Sequence, residues 1–528
     1  MATTAQSPSF SRINSIEPAS IRVEIKNSVP SRSTIILWAI ICWGVILRLT
    51  QYLSNRSLWF DESLLTQNIV HRSFSELLKP LDNNQAAPLG FLMLERFAVQ
   101  VGGTSEYALR FLPFLCGLLS LLLFHRMAKL SVTARAVPIA LGLFAISGPL
   151  IYYASEAKQY SSDVAIAILL SSAALYFGSC QLTPWRVALF GLLGATSVWF
   201  SHPSAFILAG VGVTFASFCA ARRQWGRLRS LSFAFSLWAL SLATCYLISL
   251  RHLSANQALL NYWSFGFVPA PVLSLATIEW FLHTFFGIFS NPAGLELSGI
   301  AALTCLVGGI SMLSNKKEKL FLLISPMAAT LLAASLHKYP FNGRLLLFIV
   351  PTLLLLIAEG AEQIRCKTRH EAPIIGACLV GLLFLHPLLF STYHLIKPSA
   401  GDLPPGITHT REEIKPVMNF VEQHQHEGDI LYVYHAATPA FRYYAPRFSL
   451  NKLNLVLGTS DTLETHEKDL GPLRGHRRVW LLFSHSHTDT NIDEEQAFLY
   501  LLDKRGTRLD SFKSVGAAVY LYDLDEPG

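Results

Sequence analysis

The chain of 528 residues is 52% hydrophobic and only 15% charged, with a formal net charge of +7. Soluble domains carry about 25% charged residues, so this composition excludes an ordinary soluble protein and indicates a multi-pass membrane protein. The charge is split unevenly: residues 397–528 carry 14 Lys+Arg against 19 Asp+Glu, and the rest of the chain 28 against 16. The basic excess falls largely in short loops between apolar runs, which is a topology signal and not a nucleic-acid footprint.

Residues 1–33 are polar and too long ahead of the first apolar run for a cleavable signal peptide. They are expected to be a disordered cytoplasmic tail. Runs long enough to cross a bilayer, about 20 residues, then recur at approximately 34–53, 107–125, 136–153, 161–179, 186–200, 204–220, 231–250, 294–313, 319–336, 344–363 and 373–396. With the N-terminus in the cytoplasm, the basic loops "HRMAKLSVTAR", "ARRQWGRLR", "SNKKEK" and "EQIRCKTRH" all fall on the cytoplasmic side. About eleven spans then put the C-terminal domain outside. The stretch Asn256–Asn291, with "LSLATIEWFLHTFFGIF", is open between a span, a re-entrant piece and an interfacial helix. All eight cysteines lie in or beside apolar runs, with no spacing that implies zinc or a disulfide framework.

The organisation that follows is a transmembrane module over 34–396, with an amphipathic outer loop at 54–106, and an extracytoplasmic α/β domain over 397–528. In that last domain, "REEIKPVMNFVEQHQ" reads as a helix and "DILYVYH" as a strand. "FRYYAP" reads as a short helix, "RRVWLLFSH" as a buried strand, "DEEQAFLYLLDKR" as a helix and "GAAVYLYDL" as a closing strand. No glycine-rich GxGxxG run follows any strand, so no nucleotide site is expected.

The outer loop holds the most pointed feature: adjacent acids, Asp61 and Glu62, in "SLWFDESLLTQN" just past the first span. A helix starting near Asp61 carries Asn68 and Arg72 on the same face, with Phe60, Leu64, Phe74 and Leu78 on another. Such a helix lies along the membrane surface, apolar side down. The plainer roles are an N-cap for Asp61 and a first-turn acid for Glu62.

The ordered set "LWFDE", "AAPLGFLML", "EYALRFLPFLCGLL", "YYASEAKQYSSDVA" and "FNGRLLLFIVPTLLLL" resembles the GT-C glycosyltransferases, over about residues 35–365. The branch it looks like is glycosyltransferase family 39, which includes protein O-mannosyltransferases and lipid A aminoarabinose transferases. The tail resembles neither the MIR domains of the mannosyltransferases nor anything that fixes an acceptor. The resemblance implies a sugar carried on a polyprenyl-phosphate donor and an acceptor protein, lipid or glycan. It implies a plasma-membrane or bacterial inner-membrane location and reaction on the outer face.

By that resemblance Asp61 is the general base for the acceptor hydroxyl, and Glu62 positions or tunes it. The leaving phosphate needs cations or donors on the outer side. Candidates are Arg72, Lys79, Arg110, Lys158, Arg251, His252, Lys338 and Arg344. Arg110 and Arg344 match family positions at outer span ends, where ionised groups are costly unless paired or functional. Lys158 and Tyr160 fall where relatives carry a basic residue and a tyrosine. His202 sits in an outer turn, where a solvated role is the simpler one. His424, His426, His485, His487 and Asp489 lack convincing metal-ligand spacing, so no metal is assigned, and whether a divalent ion assists the phosphate is open. Tyr432, Tyr434, Tyr443, Tyr444 and Trp480 are expected to pack strands. The competing readings are a lipid-linked sugar transporter or flippase, which would favour mid-membrane charges and paired halves, and a non-catalytic scaffold.

Overall fold

The computed structural model describes residues 32–271, 273–396, 412–450, 452–459, 468–486 and 494–525. Residues 1–31 of the expected N-terminal tail, the start of the C-terminal domain, and His487 and Asp489 lie outside the described residues, and the last two residues expected in the tail open the first helix instead. Each of the eleven apolar segments is helical. Among the described residues, nine helices are long and apolar enough to cross a membrane, and the bent pair Val137–Ile146 with Gly148–Ser155 makes a tenth if taken as one span. The eleventh segment is the 17-residue helix Pro184–Phe200. The chain is a multi-pass membrane protein, mostly α, with a small C-terminal sheet.

The labels used below are α1 (Arg32–Leu53), α2 (Phe60–His71), α3 (Leu89–Gly102), α4 (Glu106–Ser131), α5 (Val137–Ile146), α6 (Gly148–Tyr152) and α7 (Tyr160–Ser179). The helix Val350–Thr368 runs through the middle of the bundle, buried from Val350 to Glu362. Outer helices leave Ile35, Leu119, Leu192, Val213, Leu240 and Ile310 exposed, as side chains facing lipid must be. The helices Ser298–Asn315 and Val350–Thr368 approach so closely that a Cβ on Gly308 would fall on the Leu356 carbonyl oxygen, and one on Gly360 on that of Thr304. Small residues permit this contact where lipid-like interiors provide no hydrophobic drive between helices. In the open stretch, Leu275–Ser290 forms a 16-residue apolar helix, shorter than the spanning set.

The C-terminal domain carries a five-stranded sheet: β1 (Ile430–Val433), β2 (Asn454–Leu457), β3 (Val479–Ser484), β4 (Thr507–Ser514) and β5 (Ala517–Asp523). The order is β2-β1-β3-β5-β4, with β1 parallel to β2 and β3, and β5 antiparallel to β3 and β4. The helices Ile414–His424, Thr438–Tyr444 and Glu494–Asp503 match the sequence-based expectation. Strands β2 and β4 do not figure in it. Both are edge strands with no buried side chain: β4 is polar and charged, and β2 is a four-residue piece, Asn-Leu-Val-Leu, without the alternation that marks a half-buried strand.

The outer loop differs from a helix lying freely on the membrane. Leu58, Leu65 and Ile69 of the α2 region pack in one hydrophobic core with Val417, Phe441 and Tyr444 of the C-terminal domain. Gln67 donates from Nε2 to the Pro439 carbonyl at 3.0 Å. α2 is therefore held between the bundle and the domain that covers it. Tyr443 and Tyr444 correct the strand-packing expectation. They lie on the helix Thr438–Tyr444 and reach the loop: Tyr443 Oη donates to the Thr104 carbonyl at 2.5 Å, and Tyr444 Oη to Glu106 Oε1 at 3.0 Å.

Candidate functional site

α2 begins at Phe60, so Asp61 and Glu62 occupy its first turn, where carboxylates complement the helix dipole. The two acids then diverge. Asp61 keeps 16% of its side chain exposed and meets two cations from distant parts of the chain. Lys158 Nζ lies 2.9 Å from its Oδ1, and an Arg344 guanidinium nitrogen 2.9 Å from its Oδ2. Lys158 also donates to Gln85 Oε1 at 2.7 Å. The Arg344 guanidinium stands among the rings of Trp59, Tyr160 and Trp263, at 5.4, 5.6 and 5.8 Å from their centroids. An aromatic cage of this kind holds a planar cation by its faces while leaving its edge free to donate.

Glu62 turns inward and is fully buried. Arg110 grips it through Nε at 2.9 Å and a terminal nitrogen at 2.7 Å, and the Ala157 amide donates to it at 2.8 Å. Arg56 stands 3.9 Å away. Burial alone would raise the Glu62 carboxyl, but Arg110 and Arg56 outweigh it and hold it below the ordinary range. Arg110 also donates to the Arg56 and Ser57 carbonyls, at 2.7 and 3.2 Å. This geometry locks the entry to α2 and leaves Glu62 no open edge for a substrate. Its position is structural support beside Asp61.

The sequence-derived cations separate in the same way. Lys158 and Arg344 gather around Asp61, with the Tyr160 ring against Arg344, and Arg110 belongs to Glu62. Arg72 is not on the α2 face: the helix ends at His71, and Arg72 is extended. It pairs with Asp82 at 2.8 Å and donates to the Pro80 carbonyl at 2.8 Å. Lys79 and Lys338 are exposed. Arg251 Nε contacts His252 Nε2 at 3.2 Å on an exposed helix. His202 is half-buried in the turn before Ser204. Among the described residues, no group of three or more His, Cys, Asp or Glu side chains is placed to hold a metal ion.

Two residues at the site do not figure among the sequence-derived candidates. Arg56 stacks on the Tyr152 ring at 4.2 Å and donates to the Ser155 carbonyl at 2.8 Å. Glu156, between α6 and α7, is fully buried, and neither carboxylate oxygen has a hydrogen-bond partner. Burial pushes its carboxyl up to about 8, and the nearby Glu62 adds to the shift. The neighbouring Lys158 ammonium is lowered by burial, with Asp61 opposing that loss. The signal for Glu156 was its place in "YYASEAKQY", an acid in the short outer connection between two apolar runs.

The sequence matches no protein-family model and no curated protein. Solved structures do share its fold. ArnT from Cupriavidus metallidurans in the apo state aligns over 92% of this chain and 97% of that one, at 12% identity and a TM-score of 0.53. The same protein bound to undecaprenyl phosphate aligns over 92% and 97%, at 9% identity and 0.54. The archaeal oligosaccharyltransferase AglB from Archaeoglobus fulgidus, in complex with an inhibitory peptide and a dolichol-phosphate, covers 92% of this chain and 74% of its own, at 12% identity and 0.49. The multi-pass bundle and its alignment over nearly the whole length of the two ArnT structures give this chain the GT-C fold.

Proposed function

We propose that this protein is a membrane glycosyltransferase that moves a sugar from a polyprenyl-phosphate donor to an acceptor hydroxyl on the outer face. The observation that carries this reading is Asp61, partly open and bracketed by Lys158 and Arg344 at one end of a GT-C bundle. The acceptor oxygen attacks the anomeric carbon, the bond from that carbon to the phosphate oxygen breaks, and the phosphate departs with the electron pair. Asp61 takes the hydroxyl proton as general base. Direct displacement inverts the anomeric centre.

Lys158 and Arg344 each touch Asp61, which places positive charge beside the base where the leaving phosphate gathers its negative charge. Tyr160 backs Arg344 from its ring face. Glu62 and Arg110 hold the helix start rigid. The basic loops favour a cytoplasmic N-terminus, with Asp61 and the C-terminal domain on the opposite side of a plasma or bacterial inner membrane. Both the lipid-linked donor and the acceptor would meet there.

The test is transfer in membranes supplied with a labelled polyprenyl-phosphate sugar pool, comparing native protein with Asp61→Asn at equal expression. Loss of transfer with undecaprenyl phosphate still bound supports the chemical role. Native rates in Asp61→Asn would sink it. Movement of labelled lipid across the bilayer without any glycosidic product would favour a flippase instead.

A further inference from the structure

The backbone that leads into α2 is held largely by the C-terminal domain. Helix starts leave amide groups without partners inside the helix, and Trp59, which precedes α2, offers no hydroxyl or carboxylate to cap them. Four consecutive amides are nonetheless satisfied by side chains. Ser57 N donates to Glu413 Oε2 at 3.0 Å, Leu58 N to Tyr444 Oη at 2.8 Å, and Phe60 N to Glu412 Oε2 at 2.9 Å. The fourth, Trp59 N, reaches Glu62 Oε2 at 3.4 Å. Ser57 Oγ adds a second contact to Glu413 Oε2 at 2.9 Å.

These groups are shielded from water. Ser57, Leu58 and Trp59 are buried, and Glu412 is 2% exposed, so water cannot readily replace a lost partner. Glu412 is itself oriented: its other oxygen lies 2.5 Å from His485 Nδ1, and the His485 ring stacks on Phe60 at 4.5 Å with planes 5° apart. His485 holds a left-handed backbone with φ of +58°, a conformation that persists only when its surroundings fix it. Lys415 completes the attachment by donating to the Asn55 carbonyl at 2.6 Å and Glu106 at 2.9 Å.

We propose that Glu412, Glu413 and Tyr444 are positioning residues of the C-terminal domain that fix the backbone at 57–60 and thereby aim Asp61. Asp61 follows Phe60 directly, so the amide that Glu412 holds sits one residue from the base. The bundle supplies the cations, and the C-terminal domain sets the register of the carboxylate against them. This assignment rests on the reading of Asp61 as the base. Misplacing a reacting group by about 1 Å costs on the order of 10²-fold in rate.

The experiment uses the full chain purified in detergent, with the labelled donor pool for kinetics and undecaprenyl phosphate for binding. Glu412→Ala should lower kcat by at least about 10-fold with donor KM and undecaprenyl phosphate affinity unchanged. Hydrogen exchange at the amides of residues 57–60 should accelerate. Glu412→Gln, which retains an acceptor oxygen, should recover most of both. Tyr444→Phe tests the second contact independently: it keeps the ring, should lower kcat in the same manner, and carries the test if Glu412→Ala does not fold. Native kcat in Tyr444→Phe and Glu412→Ala, or a loss that falls on lipid affinity alone, overturns the proposal. Asp61→Asn is run alongside. If it is inactive while both positioning variants are native, only the positioning role fails; if it is fully active, the base reading fails whatever Glu412 does.

Discussion

Arg110 and Glu62 form a two-point ion pair, at 2.9 and 2.7 Å, in which both side chains are almost wholly buried. Breaking one side of such a pair strands a charge away from water, at a cost of about 3–5 kcal/mol. Arg110→Ala should therefore lower the melting temperature in detergent sharply, and a native melting curve would show that the pair is dispensable. Glu62→Gln with Arg110→Met in the same chain should recover much of the loss, because neither charge is then stranded.

Arg344 lies within an aromatic cage and reaches Asp61 with one edge. A lysine keeps the charge but lacks the planar fork and the stacking faces. Arg344→Lys should behave closer to Arg344→Ala than to native, with kcat/KM for the donor down about 10²-fold. Near-native kinetics in Arg344→Lys would reduce the cage to packing.

Glu156 links stability to pH. Its carboxyl stands at about 8 in the folded protein against 4.5 as the reference value, so the folded state holds the proton more tightly than the unfolded one. The resulting stabilisation is full below about 4.5, falls as pH rises, and is gone above about 8. The slope is at most about 1.4 kcal/mol per pH unit, the value for a single proton. Melting curves from pH 4.5 to 9 should show native protein losing stability relative to Glu156→Gln across that window. Parallel curves would mean that Glu156 titrates alike in both states.

Gly308 and Gly360 bring the backbones of two helices together, and the atoms that an added Cβ would strike are main-chain oxygens. Backbone cannot swing aside as a side chain can, so Gly360→Ala should cost at least about 1–3 kcal/mol and reduce folded yield. Gly309→Ala points into open space and serves as the neutral control. Equal thermal stability of the two variants would mean that the helices separate freely.

Hydropathy alone located the eleven helical segments in order, because removing a backbone from water over some 30 Å demands a continuous apolar run. The resemblance to the GT-C glycosyltransferases, and not hydropathy, put Asp61, Lys158, Tyr160 and Arg344 on one short roll of candidates. What it could not assign was partnership. Arg72 follows Asp61 at helical spacing, yet the helix stops at His71 and Arg72 turns to Asp82. Lys158 reaches Asp61 from 97 residues away, and Arg344 from still farther, through the packing of α7 and the helix that follows Arg344 against the bundle core.

The C-terminal domain shows the same division. Its buried strands β1, β3 and β5 were legible as apolar runs, whereas the exposed edges β2 and β4 were not. That its glutamates cap the helix carrying Asp61 follows from docking alone. Burial is written residue by residue in a sequence, because each side chain's transfer from water is a local quantity. Which charge meets which is settled only when distant elements pack, since a buried ion is stable only where the fold delivers its counter-ion.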